Sequence, residues 1–199
     1  MGLMVRVFRH IFLSILAVTF AASVAQAQQK AFTLDPAQTK VNFTVDSTLH
    51  TVHGDFRLKS GSIQFDDATG AASGELVVDS ASGESGSNGR DKKMHKDILE
   101  SPKYSDIVFT PQHVKGTVAN EGKSTVEVEG ILTMHGKSKP VTMPLELQLQ
   151  NGNGSADGSF NLKYLEWGMK NPSTFILRVN DTVQIHVHAV GKITTGAAN

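Results

Sequence analysis

Residues 126–149 read Val126-Glu-Val-Glu-Gly-Ile-Leu-Thr-Met-His-Gly-Lys-Ser-Lys-Pro-Val-Thr-Met-Pro-Leu-Glu-Leu-Gln-Leu149. Val126, Val128, Gly130, Leu132 and Met134 alternate with Glu127, Glu129, Ile131 and Thr133. After Gly136-Lys137-Ser138-Lys139-Pro140 the period resumes with Val141, Met143, Leu145, Leu147 and Leu149 against Thr142, Glu146, Gln148 and Gln150. Successive strand residues point to opposite faces, so each run has one dry face and one wet face. Two such runs joined by Gly and Pro turn residues make an antiparallel hairpin.

The same period extends in both directions. Towards the N-terminus it is carried by Val41/Phe43/Val45, Val52/Gly54/Phe56/Leu58, Ile63/Phe65, Leu76/Val78 and Ile107/Phe109. Towards the C-terminus it is carried by Phe160/Leu162/Tyr164 and Val183/Ile185/Val187/Ala189. Turn signals separate the runs at Asp67-Ala68-Thr69-Gly70, Asn120-Glu121-Gly122-Lys123 and Asn151-Gly152-Asn153-Gly154. One segment departs from the period. Arg90–Leu99 has Met94 and Ile98 four apart with Leu99 beside them, which is helical spacing, and Pro102 stops its continuation. Nine alternating runs and one short helix define an all-β domain. It is either a two-layer sandwich or an antiparallel barrel, and closure removes the unpaired edges.

The 199 residues suit one domain, and the 39% of apolar residues is too high for a disordered chain. With no Cys, disulfides, zinc–thiolate sites, iron–sulfur clusters and a cysteine nucleophile are excluded. Nineteen Lys plus Arg balance nineteen Asp plus Glu, so nucleic acid is not an expected partner.

The N-terminus has the pattern of a secretory signal. Arg6 and Arg9 precede the apolar run Ile11–Ala22, and Ala25-Gln26-Ala27 is a small–x–small cleavage site. Residues 1–27 are therefore expected to be removed, leaving residues 28–199 as an exported chain of net charge −2, periplasmic or secreted. The apolar run is shorter than the ~20 residues of a membrane span, so no stable span is expected.

Against this background Leu132-Thr-Met-His-Gly-Lys-Ser-Lys-Pro-Val-Thr142 resembles the LTxHGxxKPV signature of the YceI-like family. Asn88-Gly-Arg-Asp-Lys-Lys-Met-His95 is similar to the family's RD…H segment. Asp35, Val41-Asn42-Phe43 and Val52-His53-Gly54-Asp55-Phe56 match its opening hairpin. The resemblance runs over about residues 31 to 193. Two departures mark a subgroup: Gln38 stands where relatives often have His, and Lys93 and Met94 lengthen the spacing from Arg90-Asp91 to His95. The resemblance implies a lipocalin-like antiparallel barrel of about eight strands with one short helix. It also implies a periplasmic protein that holds a polyisoprenoid or similar long apolar lipid, with no cofactor and no catalysis.

The dry-face residues expected to line such an interior are Phe43, Val45, Phe56, Leu58, Phe65, Phe109, Val128, Leu132, Met143, Leu145, Leu147, Phe160, Leu162, Tyr164, Val183, Ile185 and Val187. Gly54, Gly130 and Ala189 on the same faces are consistent with space being left among them. Arg90, Lys93 and His95 are the candidate contacts for an anionic headgroup. The alternative is a solid core, which would make the chain a structural or interaction module. A lipid-directed enzyme would need a titratable pair inside. None is visible: no G-x-S-x-G elbow occurs, and both Walker-like stretches, Gly116–Ser124 and Gly130–Ser138, are one residue too long and lie in hairpins. His186 and His188 share a strand face opposite Val183, Ile185 and Val187, so both are expected to face solvent without metal, and no catalytic or metal-ligating set is assigned. The expected partner is a long-chain lipid, with a homodimer among the assemblies considered.

Overall fold

The computed structural model describes residues 28–197; the signal-like segment lies outside the described residues. Ten strands make one antiparallel sheet: β1 (Gln28–Leu34), β2 (Lys40–Ser47), β3 (Thr51–Phe56), β4 (Leu58–Asp66), β5 (Ala72–Asp79), β6 (Asp106–Lys115), β7 (Gly122–Met134), β8 (Lys137–Gln150), β9 (Asn153–Lys163) and β10 (Val179–Ala197). Helix α1 (Asn88–Lys93) runs into a wider π turn, Met94–Ile98, between β5 and β6. No helix among the described residues is long and apolar enough to cross a membrane.

The ten strands form eight staves. β1 and β2 lie end to end along one side of β10, β1 against Gly191–Ala197 and β2 against Val179–His188. Between them Asp35 N–H still donates to Val190 O at 2.7 Å, so the break is a kink in one stave. β3 and β4 repeat this next door, pairing with β2 and β1. Arg57 separates them, its N–H donating to Ser82 Oγ and its carbonyl accepting from Asp79. The sheet continues through β5, β6, β7, β8 and β9 and returns to β10, which closes a barrel. β1 is the strand that the nine sequence runs omit.

Two bulges keep the dry face dry. An extra residue between Leu58 and Ser60 turns the inward set from Leu58 to Ile63 and Phe65. Another between Pro111 and His113 turns it from Ile107 and Phe109 to Val114. Without them Ile63, Phe65 and Val114 would face solvent.

The β7–β8 turn is shorter than the sequence suggested. His135 (φ 50°) and Gly136 (φ 72°) make it alone, and Lys137–Pro140 are already strand. Two consecutive positive φ values give the turn the twist of a tight hairpin, which a longer loop would not need. Pro140 and Pro144 fall on the part of β8 that pairs with β7 only, since β9 joins from Glu146 onward. There a missing N–H costs no ladder bond.

Candidate functional site

The barrel encloses a cavity of about 610 Å³. All seventeen apolar residues named from the sequence line it: Phe43 and Val45 from β2, Phe56 from β3, Leu58 and Phe65 from β4, Phe109 from β6, Val128 and Leu132 from β7, Met143, Leu145 and Leu147 from β8, Phe160 and Leu162 from β9, Tyr164 beyond it, and Val183, Ile185 and Val187 from β10. Val41 joins them, whereas Val141 packs on the surrounding core without reaching the cavity.

The glycines do not provide the space. A Cβ on Gly54 would stand 2.4 Å from the Phe43 ring, and one on Gly130 would stand 2.6 Å from the Phe109 ring. Both glycines let a phenyl ring lie against bare backbone, which is a packing role. Ala189 does line the cavity.

One end is closed. Lys30 shares the inward face of β1 with Phe32 and Leu34 and is 3% exposed. Its ammonium donates to Val118 O at 3.0 Å and pairs with Asp67 Oδ2 at 2.6 Å. This pins the β6–β7 connection across the barrel, with Val118 as an apolar floor. The alternation Lys30-Ala-Phe32-Thr-Leu34 was the signal for an inward lysine, had β1 been recognised.

The other end carries the mouth. Ser47 and His50 of the β2–β3 hairpin, Ser85, Gly89, Arg90 and Lys93 around α1, Pro172 and Leu177 of the β9–β10 connection, and Val179 at the start of β10 frame it. Met94, Ile98 and Leu99 extend the apolar lining from beneath the helical segment, while Lys92 and Lys96 are exposed. Arg90 is held by Ser85, donating from Nε to Oγ at 2.7 Å and from Nη2 to the carbonyl at 2.6 Å. Lys93 is exposed, with no ion pair among the described residues.

His95 requires a correction. It does not reach the cavity. Its Nε2 donates to Gly83 O at 2.8 Å and its Nδ1 lies 3.1 Å from Ser101 Oγ, which meets buried Ser80. The π turn at Met94 rotates His95 toward the 80–83 segment, so it fastens the helical segment to the barrel.

Tyr164 is the inward residue whose polar character alternation overlooks. Its hydroxyl is buried and has no hydrogen-bond partner among the described residues. Burial, with Asp181 nearby, pushes the phenol above its ordinary value, so it stays neutral. His135 packs elsewhere: its ring lies 4.5 Å from that of Tyr104, and Nδ1 donates to Trp167 O at 3.2 Å. His186 and His188 stand outside the barrel, beside Ser159 (3.0 Å) and Asp157 (2.6 Å).

An antiparallel barrel of eight staves with one apolar interior, a pinned floor and a framed mouth is a lipocalin-like barrel. The chain belongs to the YceI-like family, whose YceI-like domain matches residues 32–191. It is similar to a UPF0312 protein of Vibrio parahaemolyticus, 32% identical over 143 residues, covering 69% of this chain and 73% of that one. A UPF0312 protein of Pseudomonas putida is 32% identical over 130 residues, covering 61% and 65%. Two crystal structures share the fold. BcnA of Burkholderia cenocepacia superposes with a TM-score of 0.66 at 24% identity, covering 80% of this chain and 99% of that one. A polyisoprenoid binding domain from Saccharophagus degradans superposes with a TM-score of 0.63 at 18% identity, covering 84% and 98%.

Proposed function

We propose that this chain is an exported binding protein that sequesters or carries one long apolar lipid, isoprenoid in kind, inside the barrel. The observation that carries the reading is the 610 Å³ cavity, walled by aliphatic and phenyl groups and framed at one end by polar ones. Its size lies within the range of about 300–1,000 Å³ typical of small-molecule sites. Transfer of a hydrocarbon chain into it is favoured by about 25 cal/mol per Å² of apolar surface removed from water. That term has no direction, so length and girth set selectivity. The polyisoprenoid-binding relative from Saccharophagus supports the chemical class. Arg90 and Lys93 line the cavity, and in this reading they meet a phosphate at the end of such a chain.

Binding is favoured over catalysis because the titratable lining groups, His50, Arg90, Lys93 and Tyr164, include no nucleophile paired with a base. The cavity also favours a carrier over a filled structural module.

The test is native mass spectrometry of the protein purified from its own envelope, followed by exchange with a prenyl alcohol and its phosphate. A retained lipid adduct, displaced one for one by either probe, is the expected result. Protein that carries no adduct and takes up neither probe overturns the reading. N-terminal sequencing of the protein recovered from the envelope is expected to start at Gln28; recovery only from the cytoplasm overturns the export claim, and an envelope form that keeps residues 1–27 overturns the cleavage.

A further inference from the structure

The mouth is surrounded by side chains that a water-facing rim does not need. Leu49, Leu165, Phe175 and Ile176 are the exposed large apolar residues among the described ones, and all four lie at the mouth end. Leu49 is 68% exposed, Phe175 95% and Ile176 78%. They are held in place. Thr174 N–H donates to Leu177 O at 2.8 Å and Leu177 N–H to Thr174 Oγ1 at 3.0 Å, a tight turn with Phe175 and Ile176 at its corner. Thr48 N–H donates to Arg178 O at 2.9 Å and Arg178 N–H to Thr48 Oγ1 at 3.2 Å, which ties this turn to the hairpin tip that bears Leu49. A corner of this kind ordinarily takes small polar residues. The next residue, Leu177, lines the cavity, so the apolar surface is continuous from the exposed corner to the interior.

Exposed basic side chains cluster at the same end, Lys92, Lys93 and Lys96 foremost. The mouth-end segments 47–50, 80–103 and 164–178 carry seven basic side chains, Arg90, Lys92, Lys93, Lys96, Lys103, Lys170 and Arg178, against five acids, Glu84, Asp91, Asp97, Glu100 and Glu166. Asp91 is engaged by Ser85, accepting from its N–H and its hydroxyl. Glu166 is likewise engaged, by Lys139 at 3.2 Å, and Glu100 lies 3.6 Å from His135, so Lys92, Lys93 and Lys96 remain exposed without ion pairs among the described residues. The whole chain, by contrast, is balanced at nineteen against nineteen.

We propose that this end of the barrel docks on an anionic lipid bilayer, with Leu49, Phe175 and Ile176 inserted at the headgroup boundary and the basic side chains over anionic headgroups, so that the mouth opens onto the membrane. Apolar tips amid cations are the chemistry of interfacial binding. A second protein surface would call for a broad apolar patch and not three protruding tips. The proposal deepens the carrier reading by supplying the lipid's route, but docking itself needs no bound ligand.

The test is flotation of the full exported chain with vesicles of phosphatidylcholine, with and without phosphatidylglycerol. The wild type is expected to float with the phosphatidylglycerol vesicles. F175S/I176S is expected to lower partition at least about tenfold. K92Q/K96Q, at two exposed positions outside the cavity lining, is expected to lose roughly fivefold per removed charge on anionic vesicles only. Uptake of a prenyl alcohol from vesicle-free solution is expected to be the same in all three. A wild type that stays in solution with phosphatidylglycerol vesicles, or an F175S/I176S variant that floats equally well, overturns docking. A dimer by light scattering that F175S/I176S converts to a monomer, without vesicle binding, assigns the surface to self-association and also overturns it. Docking without prenyl-alcohol uptake overturns the carrier reading and leaves docking standing.

Discussion

Lys30 Nζ stands 2.6 Å from Asp67 Oδ2 at the floor of the barrel, with the lysine 3% exposed and the aspartate 29%. A buried pair of this kind tolerates joint removal better than loss of one partner, because the survivor keeps an uncompensated charge. Asp67→Asn is expected to destabilise the protein by about 3 kcal/mol, and Lys30→Met by clearly less. Chemical denaturation of the two variants measures the order; equal losses would show that the ion pair does not hold the floor.

Ala189→Phe probes the cavity directly. In a filled core the added ring costs about 1–3 kcal/mol through overpacking. Here the side chain faces open space, so the melting temperature is expected to change little while prenyl-lipid uptake falls at least tenfold. A folded variant with undiminished uptake would place the lipid elsewhere.

Tyr164→Phe removes a buried hydroxyl without a partner. An unsatisfied buried polar group costs about 1–3 kcal/mol, so delipidated protein is expected to gain up to about 1 kcal/mol. Denaturant midpoints of wild type and variant decide it. A loss would mean that the hydroxyl is satisfied in solution.

Acid stability follows from the turns. The Thr69 backbone N–H, at 2.7 Å, holds the Asp66 carboxyl below the ordinary carboxylate range, with help from the Thr69 hydroxyl and Ala68 N–H. The Gln38 amide does the same for Asp35, and Lys59 for Asp106. These carboxyls bind protons less readily when folded, so their stabilisation is present above about pH 4 and is lost as pH falls through the lowered values. Lys59 and Lys115 are raised, by Asp106 and Glu129, so their share is complete below about pH 10 and is lost above it. The melting temperature is expected to be flat from about pH 5 to 9 and to fall below 4, with a shallower fall in Asp66→Asn.

Much of the architecture was legible because a dry face every second residue is a local property. It located the hairpins and the seventeen lining residues. What it missed depends on contacts far along the chain. The bulges near Lys59 and Gln112 shift the face by one residue; Pro111 beside the second is a local sign of it, and nothing in the sequence around Lys59 marks the first. Gly54 and Gly130 looked like vacant volume, but rings from neighbouring strands cover them. His95 carried charge-compatible chemistry in the right segment, yet Gly83 and Ser101 claim both its nitrogens. Phe175 and Ile176 belong to no periodic run, so alternation passes over them.

The ring is closed by the last strand of the described chain meeting the first, Gln28 against Ala197 through Leu34 against Gly191. These partners are roughly 160 positions apart, and every other stave can zip to its neighbour before they meet. Until then the sheet has two open edges and a bare apolar inner face, the surfaces that nucleate aggregation. Ring closure is therefore expected to be the late step of folding, the one that covers both edges at once.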